Sequence, residues 1–535
     1  MTVETTPVLV VGGSFVGLAT AAFLTSYGIR PLVVERHPGP GVHPRARGLN
    51  PRTMELFRGI GVEDRISAGT PPVTGNEVLI QVETLAGKEI RRIESSTFDG
   101  ITEVTPSNWV SIGQDKVEPI LRQVAEERGA DIRYSTELVS FTQDADGVDA
   151  VIRDRATGEE QTVRAQYLVG ADGHRSLVRK TLGIEVDELA TTMHALSILF
   201  RADLTEALRG REVVMAVALN PQARFGVLTP VEDDQWMYGI RYDPAKGETA
   251  DQFTEDDWVT MVRAAVGDPE LEVKVELTDE WEVASRIAQG YQTGRVFLAG
   301  DSAHLMPPAG GFGANTGAQD AQNLAWKLAL VLQGTAGPGL LDTYDAERRP
   351  AGRLTVNQSA ERTAARKDEP GGDEEQLDEL TVMFGYRYSS GAVIADSSAE
   401  PGTSADPRTP TGLPGTRAAH IAIDRNGKRL STVDLFGRGF VLLAGEQGHE
   451  WIAAARALAA SNELVLTAYR VGSRQSVPDL VDLDDRFPAV YGVAADGAVL
   501  VRPDGFVAWR GRPGDGDLAG VIEQVLHRGA QGGQA

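Results

Sequence analysis

The chain has 535 residues, too many for one hydrophobic core, so its length predicts two to four domains. A net charge of −24 argues against nucleic acid or an anionic membrane surface as a partner, and the absence of cysteine excludes disulfides, thiolate metal sites and cysteine nucleophiles. The chain has no signal-peptide pattern and no apolar run near the roughly 20 residues of a membrane helix. We therefore expect a cytoplasmic protein that binds neither membrane nor nucleic acid and has no metal site.

The N-terminal stretch VLVVGGSFVGL predicts a strand, a tight turn and a helix. Residues 8–11 form a continuous apolar run, which is typical of a strand buried on both faces of a parallel sheet. Gly12 and Gly17 fill the first and last positions of the nucleotide fingerprint G-x-G-x-x-G, but Ser14 replaces the middle glycine. A second strand ends at Glu35, where a carboxylate can bind ribose hydroxyls. This βαβ unit favours a nucleotide site with a pyrophosphate at the helix N-terminus; an α/β unit without nucleotide is the alternative.

Two later stretches contain a strand that ends in a turn carrying an aspartate. In YLVGADGHRSLVRKTLGI an apolar strand runs into Asp172 and Gly173, and in GRVFLAGDSAHLMPPAGGFGANTG a strand over 296–299 runs into Asp301. An aspartate at the carboxyl end of a strand suits a sugar hydroxyl, and free N–H groups over 313–315 suit an anion or an electron-rich ring edge. Taken singly, each such turn is more often structural than functional.

Five motifs in this order make the chain resemble a known family along nearly its whole length. They are Gly12, Gly17 and Glu35 with HPRARGLNPRTMELFRGIGV, GQDKVEPILRQVAEERG, GADGHRSLVR and GDSAHLMPPAGGFGANTGAQDAQNLAWKLA. The chain resembles the single-component FAD-dependent aromatic hydroxylases of the p-hydroxybenzoate hydroxylase and phenol hydroxylase type. Within them it is most similar to the actinobacterial hydroxylases of aromatic polyketides such as anthracyclines and angucyclines.

The resemblance implies an α/β fold made of three domains and a linker. These are a discontinuous Rossmann-like FAD-binding domain of the p-hydroxybenzoate hydroxylase type (1–70, 105–185 and 281–365), an antiparallel β-sheet substrate domain (71–104 and 186–280), a linker or helical segment (366–412) and a C-terminal thioredoxin-like domain (413–535). Alternating apolar runs within 186–280 also indicate antiparallel strands. After residue 415 the pattern predicts βαβ followed by ββα, and without a CxxC pair we expect packing or assembly rather than dithiol chemistry.

The resemblance also assigns residues to a non-covalently bound FAD. The implied contacts are Gly12, Ser14 and Gly17 at the pyrophosphate, Glu35 at the adenosine ribose, Arg36, Arg45 at the pyrophosphate and flavin edge, Gln114, Arg122, Asp172, Asp301 at the ribityl chain, Pro308 near the reactive flavin carbon, and Gly311, Gly313, Ala314 and Asn315 around the pyrimidine edge. Ser14 departs from the family pattern, and its small hydroxyl is itself able to donate to a phosphate oxygen.

The implied reaction is a monooxygenation. NADPH or NADH, docking transiently in a groove with Arg175 and Arg286 as candidate contacts, reduces the flavin. O2 then forms a flavin C4a-hydroperoxide that transfers one oxygen atom to a polycyclic aromatic polyketide, and we expect phenolic ring hydroxylation in antibiotic biosynthesis. The alternatives are Baeyer–Villiger or epoxidising chemistry, a flavoprotein oxidase or dehydrogenase, and a binding module without flavin. We expect a monomer or a homodimer.

Arg387 and Pro308 are the predicted catalytic residues. Arg387 lies in FGYRYSSGAV and suits a phenolate partner because arginine stays charged in an apolar site. A strand edge packed on the flavin domain is the alternative for this stretch. His304 is not predicted as a base. The predicted substrate contacts, for which a core role is the alternative, are Phe225, Trp236, Tyr238 and Tyr388.

Overall fold

The computed structural model describes residues 3–41, 47–68, 70, 77–95, 100–366, 375–396, 404–461, 464–515 and 517–528. Its α-helices in chain order are α1 (Phe15–Ser26), α2 (Pro51–Gly59), α3 (Glu63–Ser67), α4 (Ile101–Val104), α5 (Gln114–Glu127), α6 (Leu177–Thr181), α7 (Thr205–Leu208), α8 (Glu255–Val266), α9 (Phe312–Leu332), α10 (Thr343–Arg366), α11 (Glu379–Phe384), α12 (His449–Ser461), α13 (Phe487–Tyr491) and α14 (Leu518–Val525).

The strands form three sheets. In chain order they are β1 (Glu4–Val11), β2 (Leu32–Val34), β3 (Glu77–Val82), β4 (Glu89–Ser95), β5 (Asp131–Arg133), β6 (Thr136–Gln143), β7 (Val148–Asp154), β8 (Glu160–Gly170), β9 (Val186–Arg201), β10 (Met215–Ala218), β11 (Val227–Glu232), β12 (Gln235–Tyr242), β13 (Lys274–Ala288), β14 (Gln292–Thr293), β15 (Val296–Leu298), β16 (His304–Leu305), β17 (Ala422–Arg425), β18 (Lys428–Ser431), β19 (Phe440–Ala444), β20 (Leu466–Gly472), β21 (Leu480–Asp482), β22 (Ala498–Val501) and β23 (Val507–Gly511).

The first sheet has the order β14-β15-β8-β1-β2-β5, with β6 and β7 joined to β8. Its central strands β15, β8, β1, β2 and β5 run parallel. The apolar run 8–11 of β1 is at most 6% exposed, because β1 has neighbours on both sides and helices on both faces of the sheet cover such strands. α1 packs against α9 and α5, so the first and third sequence motifs lie side by side.

The second sheet has the order β16-β13-β9-β12-β11-β10-β3-β4 and is antiparallel except where β10 pairs with β3. Helix α8 covers one face: it starts at the N-cap Thr254, whose hydroxyl accepts from the N–H of Asp257, and stops at Gly267 with φ of +85°. At the C-terminal end of β13, Ile287 packs into the core of the first sheet, and β16 pairs with this end of β13. The loop after β15 is thereby attached to the second sheet.

The third sheet has the order β18-β17-β21-β20-β19-β22-β23. β19, α12 and β20 form a parallel βαβ unit, and antiparallel β22 and β23 followed by α14 complete the βαβ-then-ββα order that the sequence predicts. Among the described helices, none is both long and apolar enough to cross a membrane.

Buried charges join the third sheet to the rest of the molecule. Glu347 of α10 accepts from Lys327 of α9 at 2.8 Å and from both terminal nitrogens of Arg502 at 2.6 and 2.8 Å, and all three side chains are fully buried. Arg502 also pairs with Asp504. These contacts are buried and mutually neutralising, so they fix the C-terminal sheet against α9 and α10.

Candidate active site

The turn after β1 is closely packed at its glycines. Gly12 has φ of +107°, and a Cβ placed there would lie 2.2 Å from the carbonyl oxygen of Ala171. A Cβ on Gly17 would lie 1.8 Å from the carbonyl oxygen of Gly12. The first turn of α1 therefore starts directly against the strand, with its unpaired N–H groups at the carboxyl edge of the sheet, an arrangement that binds phosphate.

Ser14 and Gln114, two residues predicted for the site, lie in contact. The Ser14 hydroxyl donates to Glu118 Oε1 at 2.7 Å, and Gln114 Nε2 donates to Ser14 Oγ at 2.8 Å and to the same carboxylate at 2.7 Å. The other Glu118 oxygen accepts the N–H of Gly41 at 2.8 Å. The proton of Ser14 is thus directed to a carboxylate rather than towards a phosphate. Sequence analysis missed Glu118, although its spacing of four residues from Gln114 places both on one face of α5.

Glu35 lies beside this turn, as predicted from its place after β2. Its Oε2 accepts the N–H of Gly13 at 2.7 Å and its Oε1 accepts the N–H of His37 at 2.8 Å. The carboxylate is therefore fixed and keeps acceptor capacity for a hydroxyl. The Arg36 side chain is exposed and lies 3.3 Å from the His37 ring nitrogen, so the structure does not bring it into the turn.

Two other predicted arginines do not join this cluster. Arg122 lies two turns along α5 from Gln114, donates to Glu126 at 2.8 Å and stacks 4.9 Å over the ring of Tyr134. Arg45 lies outside the described residues. Contact of either residue with FAD stays a prediction.

The two aspartate turns lie at the carboxyl ends of the neighbouring strands β8 and β15. Asp172 Oδ2 accepts the N–H of Val178 at 3.0 Å, whereas its Oδ1 is buried without a hydrogen-bond partner among the described residues. Burial raises the pKa of Asp172. Ser302 Oγ donates to the carbonyl of Gly170 at 2.6 Å and ties the two turns together, and the exposed Asp301 stands between them and the loop that follows.

The loop that carries Pro308 is held from behind by α10. The Ser359 hydroxyl lies 2.7 Å from the carbonyl oxygens of Pro307 and Ala309, so it fastens the chain on both sides of the exposed Pro308. The N–H of Gly311 closes the turn onto the carbonyl of Pro308 at 3.0 Å. Sequence analysis missed Ser359, because a serine within a helix carries no local signal of this contact.

Helix α9 begins directly after this loop. Gly313 and Ala314 are half-buried in its first turn, where backbone N–H groups lack intrahelical acceptors. Asn315 is fully enclosed: its Oδ1 accepts the N–H of Asn50 at 2.9 Å and its Nδ2 donates to the carbonyl of Gly48 at 3.1 Å. The Asn315 side chain therefore positions residues 48–50 within the second motif, and the helix N-terminus offers the open donors.

Three of the predicted substrate contacts are core residues. Trp236 and Tyr238 are 3% and 0% exposed and pack in the cluster under α8, where the Tyr238 hydroxyl donates to the carbonyl of Ala223. The ring of Tyr388 stacks on Phe506 at 4.1 Å. These three predictions are corrected, since side chains so enclosed present no surface to a ligand. Phe225, 59% exposed with φ of +53°, stays a predicted contact.

Arg387 follows a segment that packs on the Pro308 loop. Residues 380–384 of α11 share a hydrophobic cluster with Met306 and Phe312. Arg387 itself is half-buried. Its predicted role as phenolate partner is neither supported nor contradicted by a described contact and stays a prediction.

A cleft of about 120 Å³ opens beside Asp301, between the first and second sheets. Its lining includes Arg179, whose guanidinium donates to the carbonyls of Ser302 at 2.8 Å and His174 at 2.9 Å. Arg286 also lines it and pairs with Glu188 and Glu282. Arg175 is exposed and is not part of this lining.

An extended dinucleotide fits the residues present. Two helix N-termini, those of α1 and α9, face the carboxyl edge of one parallel sheet, and glycines keep the backbone open where phosphate and ring would approach. Between them lie the fixed carboxylate of Glu35, the unsatisfied oxygen of Asp172 and the exposed Asp301. Fold and site define a flavoprotein of the class that binds FAD through a Rossmann-like unit.

Comparison with known proteins gives the family. The profile described as FAD binding domain matches residues 5–359, and the profile described as aromatic-ring hydroxylase, C-terminal, matches residues 411–529. The chain belongs to the FAD-dependent aromatic-ring hydroxylases and is a flavin-dependent aromatic monooxygenase. The predicted family, fold class and FAD cofactor are confirmed.

The similarity to individual relatives extends over whole chains. A 4-methyl-5-nitrocatechol 5-monooxygenase of Burkholderia sp is 44% identical over 97% of this chain and 96% of its own. An aklavinone 12-hydroxylase of Streptomyces purpurascens is 42% identical over 97% of this chain and 98% of its own. The solved structure of an aklavinone-11 hydroxylase with FAD and aklavinone has a TM-score of 0.89 at 40% identity, covering 99% of this chain and 100% of that one.

Proposed function

We propose that this monooxygenase hydroxylates a phenolic ring of a polycyclic aromatic polyketide, with NADPH or NADH as electron donor. The observation that carries the proposal is the full-length likeness to an aklavinone hydroxylase solved with its flavin and its polycyclic ligand. Bound FAD supplies the hydride acceptance and oxygen activation of such a reaction. The chain's own residues bind that cofactor, shield it from water and position the phenol.

The α9 N-terminus is our candidate for the ring-binding part of the site. Its open N–H groups at Gly313 and Ala314 would stabilise negative charge on the pyrimidine edge of a reduced flavin. The Ser359 contact would hold the Pro308 loop in place beside the bound flavin, where the loop would help to exclude water from the reaction.

The face of the second sheet opposite α8 is our candidate for the substrate wall. Because strand side chains alternate, the burial of Trp236 and Tyr238 under α8 assigns Met237 and Gly239 to the other face. Ile287, near the end of β13, packs into the core of the first sheet, so this end of the second sheet adjoins the flavin unit. A flat ligand of several fused rings needs such a broad wall.

The cleft beside Asp301 is our candidate for docking of the nicotinamide donor. Arg179 forms no ion pair among the described residues and uses only backbone carbonyls, which leaves its charge available to a phosphate. Arg286 is neutralised by Glu188 and Glu282, so we expect it to contribute less.

The function is tested by incubating purified holoenzyme with NADPH and ¹⁸O₂ and a panel of anthracyclinone, angucyclinone and single-ring phenols. We expect one ¹⁸O atom in a polycyclic product by mass spectrometry. Label in a single-ring product alone would assign the substrate class of the nitrocatechol relative instead. NADPH oxidation that yields only hydrogen peroxide with every phenol would contradict the proposal and favour an oxidase, and lactone formation would identify Baeyer–Villiger chemistry.

A further inference from the structure

The carboxylate of Asp320, in the third turn of α9, is completely buried and accepts from three groups. Its Oδ2 accepts the N–H of Gly300 at 3.1 Å and lies 2.7 Å from His304 Nε2, and its Oδ1 accepts from Arg348 Nε at 2.8 Å. Asp320 lies within the last of the five motifs, but the sequence assigns it no role.

These contacts enclose Asp301 on both sides. Gly300 immediately precedes Asp301 and has φ of +64°, and His304 follows it by three residues in β16. One carboxylate oxygen therefore fixes the chain before and after the exposed Asp301. The direction in which Asp301 points depends on this short segment, because the Asp301 side chain stands on a turn rather than on a regular element.

The second oxygen of Asp320 accepts a hydrogen bond from Arg348 of α10. Arg348 in turn contacts the C-terminal part of the chain. Arg348 NH1 donates to the Tyr388 hydroxyl at 3.0 Å, and the Tyr388 ring stacks on Phe506 beside the third sheet. Burial favours the neutral acid, but the interactions with His304 and Arg348 outweigh it and lower the pKa of Asp320. The carboxylate thus stays ionised and able to accept from all three donors.

We propose that Asp320 is a positioning residue that orients Asp301 for the ribityl chain of FAD, and that Arg348 and Tyr388 connect this orientation to the C-terminal part of the chain. The inference rests on the proposed role of Asp301. It concerns the flavin half of the cofactor only, because Asp320 makes no described contact with the turn at Gly12 or with Glu35.

The test compares two buried carboxylates. Asp320→Asn and Glu347→Gln each remove one fully buried charge, but Glu347 pairs with Lys327 and Arg502 and does not touch the Gly300 turn. For each apoprotein, the dissociation constant is measured for FAD by flavin fluorescence and for ADP by competition with a fluorescent adenine nucleotide. ADP reports the nucleotide half of the site, and the ratio of the two constants isolates the ribityl and ring contacts.

We expect Asp320→Asn to weaken FAD about tenfold, the effect of losing hydrogen bonds to a charged group, while ADP affinity stays within about twofold of wild type. Glu347→Gln should lower the melting temperature without changing the FAD-to-ADP ratio. Arg348→Lys keeps the charge but loses the planar guanidinium, so it should weaken the affinity for FAD to an intermediate degree. This variant tests the proposal independently if Asp320→Asn folds poorly.

The Asp301→Ala variant distinguishes an error in the proposed role of Asp301 from an error in the positioning role of Asp320. If Asp301→Ala retains wild-type FAD affinity, the assigned role of Asp301 is wrong and the inference falls with it. If Asp301→Ala weakens FAD but Asp320→Asn and Arg348→Lys keep the wild-type FAD-to-ADP ratio, the positioning role is overturned. Equal losses of FAD and ADP affinity in Asp320→Asn would also overturn it, since they indicate general destabilisation.

Discussion

The hydroxyl of Ser14 donates to Glu118, so this side chain supports the pyrophosphate turn from inside the protein. Gln114 donates to both groups and completes a triangle of hydrogen bonds between α1 and α5. The phosphate would then be bound by backbone N–H groups of α1, which do not depend on the identity of the residue at position 14. The departure from the glycine fingerprint is therefore compatible with an FAD site.

Replacing Ser14 by alanine removes the donor to Glu118 and an acceptor of Gln114. We expect the free energy of unfolding of the apoprotein to fall by about 1 to 2 kcal/mol because a buried carboxylate loses a partner. Affinity for FAD should change less than about threefold, since the α1 N–H groups are retained. Urea unfolding and flavin-fluorescence titration measure the two quantities. A large loss of FAD affinity at unchanged stability would mean that the hydroxyl binds the cofactor directly.

The candidate FAD-binding residues can be predicted from the sequence more readily than the residues that hold them in place. Gly12, Glu35 and Asp301 stand at strand ends within recognisable motifs, and the structure brings them to one edge of the first sheet. Glu118 lies 104 residues from Ser14, and Asp320 reaches back 20 residues to Gly300. Such partners depend on helix packing, which local patterns do not encode.

At the scale of elements, the strand, turn and helix at the N-terminus work as one rigid unit. Their packing distance is set by two glycines, because the Gly12 carbonyl occupies the space that a methyl group on Gly17 would need. The sequence predicts this unit well, since a buried apolar run and a glycine turn are both local signals. Its contact with the Ala171 carbonyl, across the sheet, is not a local signal.

Gly17→Ala should push α1 away from β1 and reduce FAD binding by about tenfold or more, because the phosphate donors move with the helix. Gly334→Ala is the matched control: Gly334 also precedes a buried segment and has φ of +72°, but its Cβ would meet no atom. We expect the control to cost about 1 to 2 kcal/mol of stability and to retain FAD affinity. Flavin titration and thermal unfolding of both variants check this; equal FAD affinities would contradict the steric explanation.

Strand alternation explains why substrate residues were predicted on the wrong face. Strand alternation in the sequence puts Trp236 and Tyr238 on one face of β12, and in the structure both pack in the cluster under α8. The alternation of side chains along a strand does not determine which of its two faces a helix covers. That choice depends on α8, whose Trp258 packs edge-on against Tyr238.

At the scale of the whole molecule, the C-terminal sheet is docked through a buried ion pair between Arg502 and Glu347. Lys327 and Glu347 come from α9 and α10, and Arg502 and Asp504 come from the turn after β22. The order of elements in this sheet follows from the sequence pattern. The docking of this sheet could not be predicted from the sequence, because the four charged residues look like ordinary surface residues there. The predicted residue limits of the domains stay predictions.

Arg502→Met should lower the free energy of unfolding by about 3 to 5 kcal/mol, because Glu347 and Asp504 both lose a buried partner. Arg474→Met, in the turn between β20 and β21, removes an exposed arginine 3.7 Å from Asp424 and should cost less than about 1 kcal/mol. Denaturant unfolding of the two holoproteins gives the comparison. Equal losses would show that the buried cluster contributes no more than a surface ion pair.

This docking has a consequence for synthesis of the chain. Glu347 leaves the ribosome 155 residues ahead of Arg502, which at roughly 5 to 20 residues per second is a delay on the order of ten to thirty seconds. During that interval the nascent flavin-binding part has its Lys327 and Glu347 in place without the groups that enclose them. The two buried charges of α9 and α10 thus gain their C-terminal partner only after β22 and the turn that follows it have been made, and a ribosome that stops before β22 releases a chain in which Glu347 has Lys327 but not Arg502.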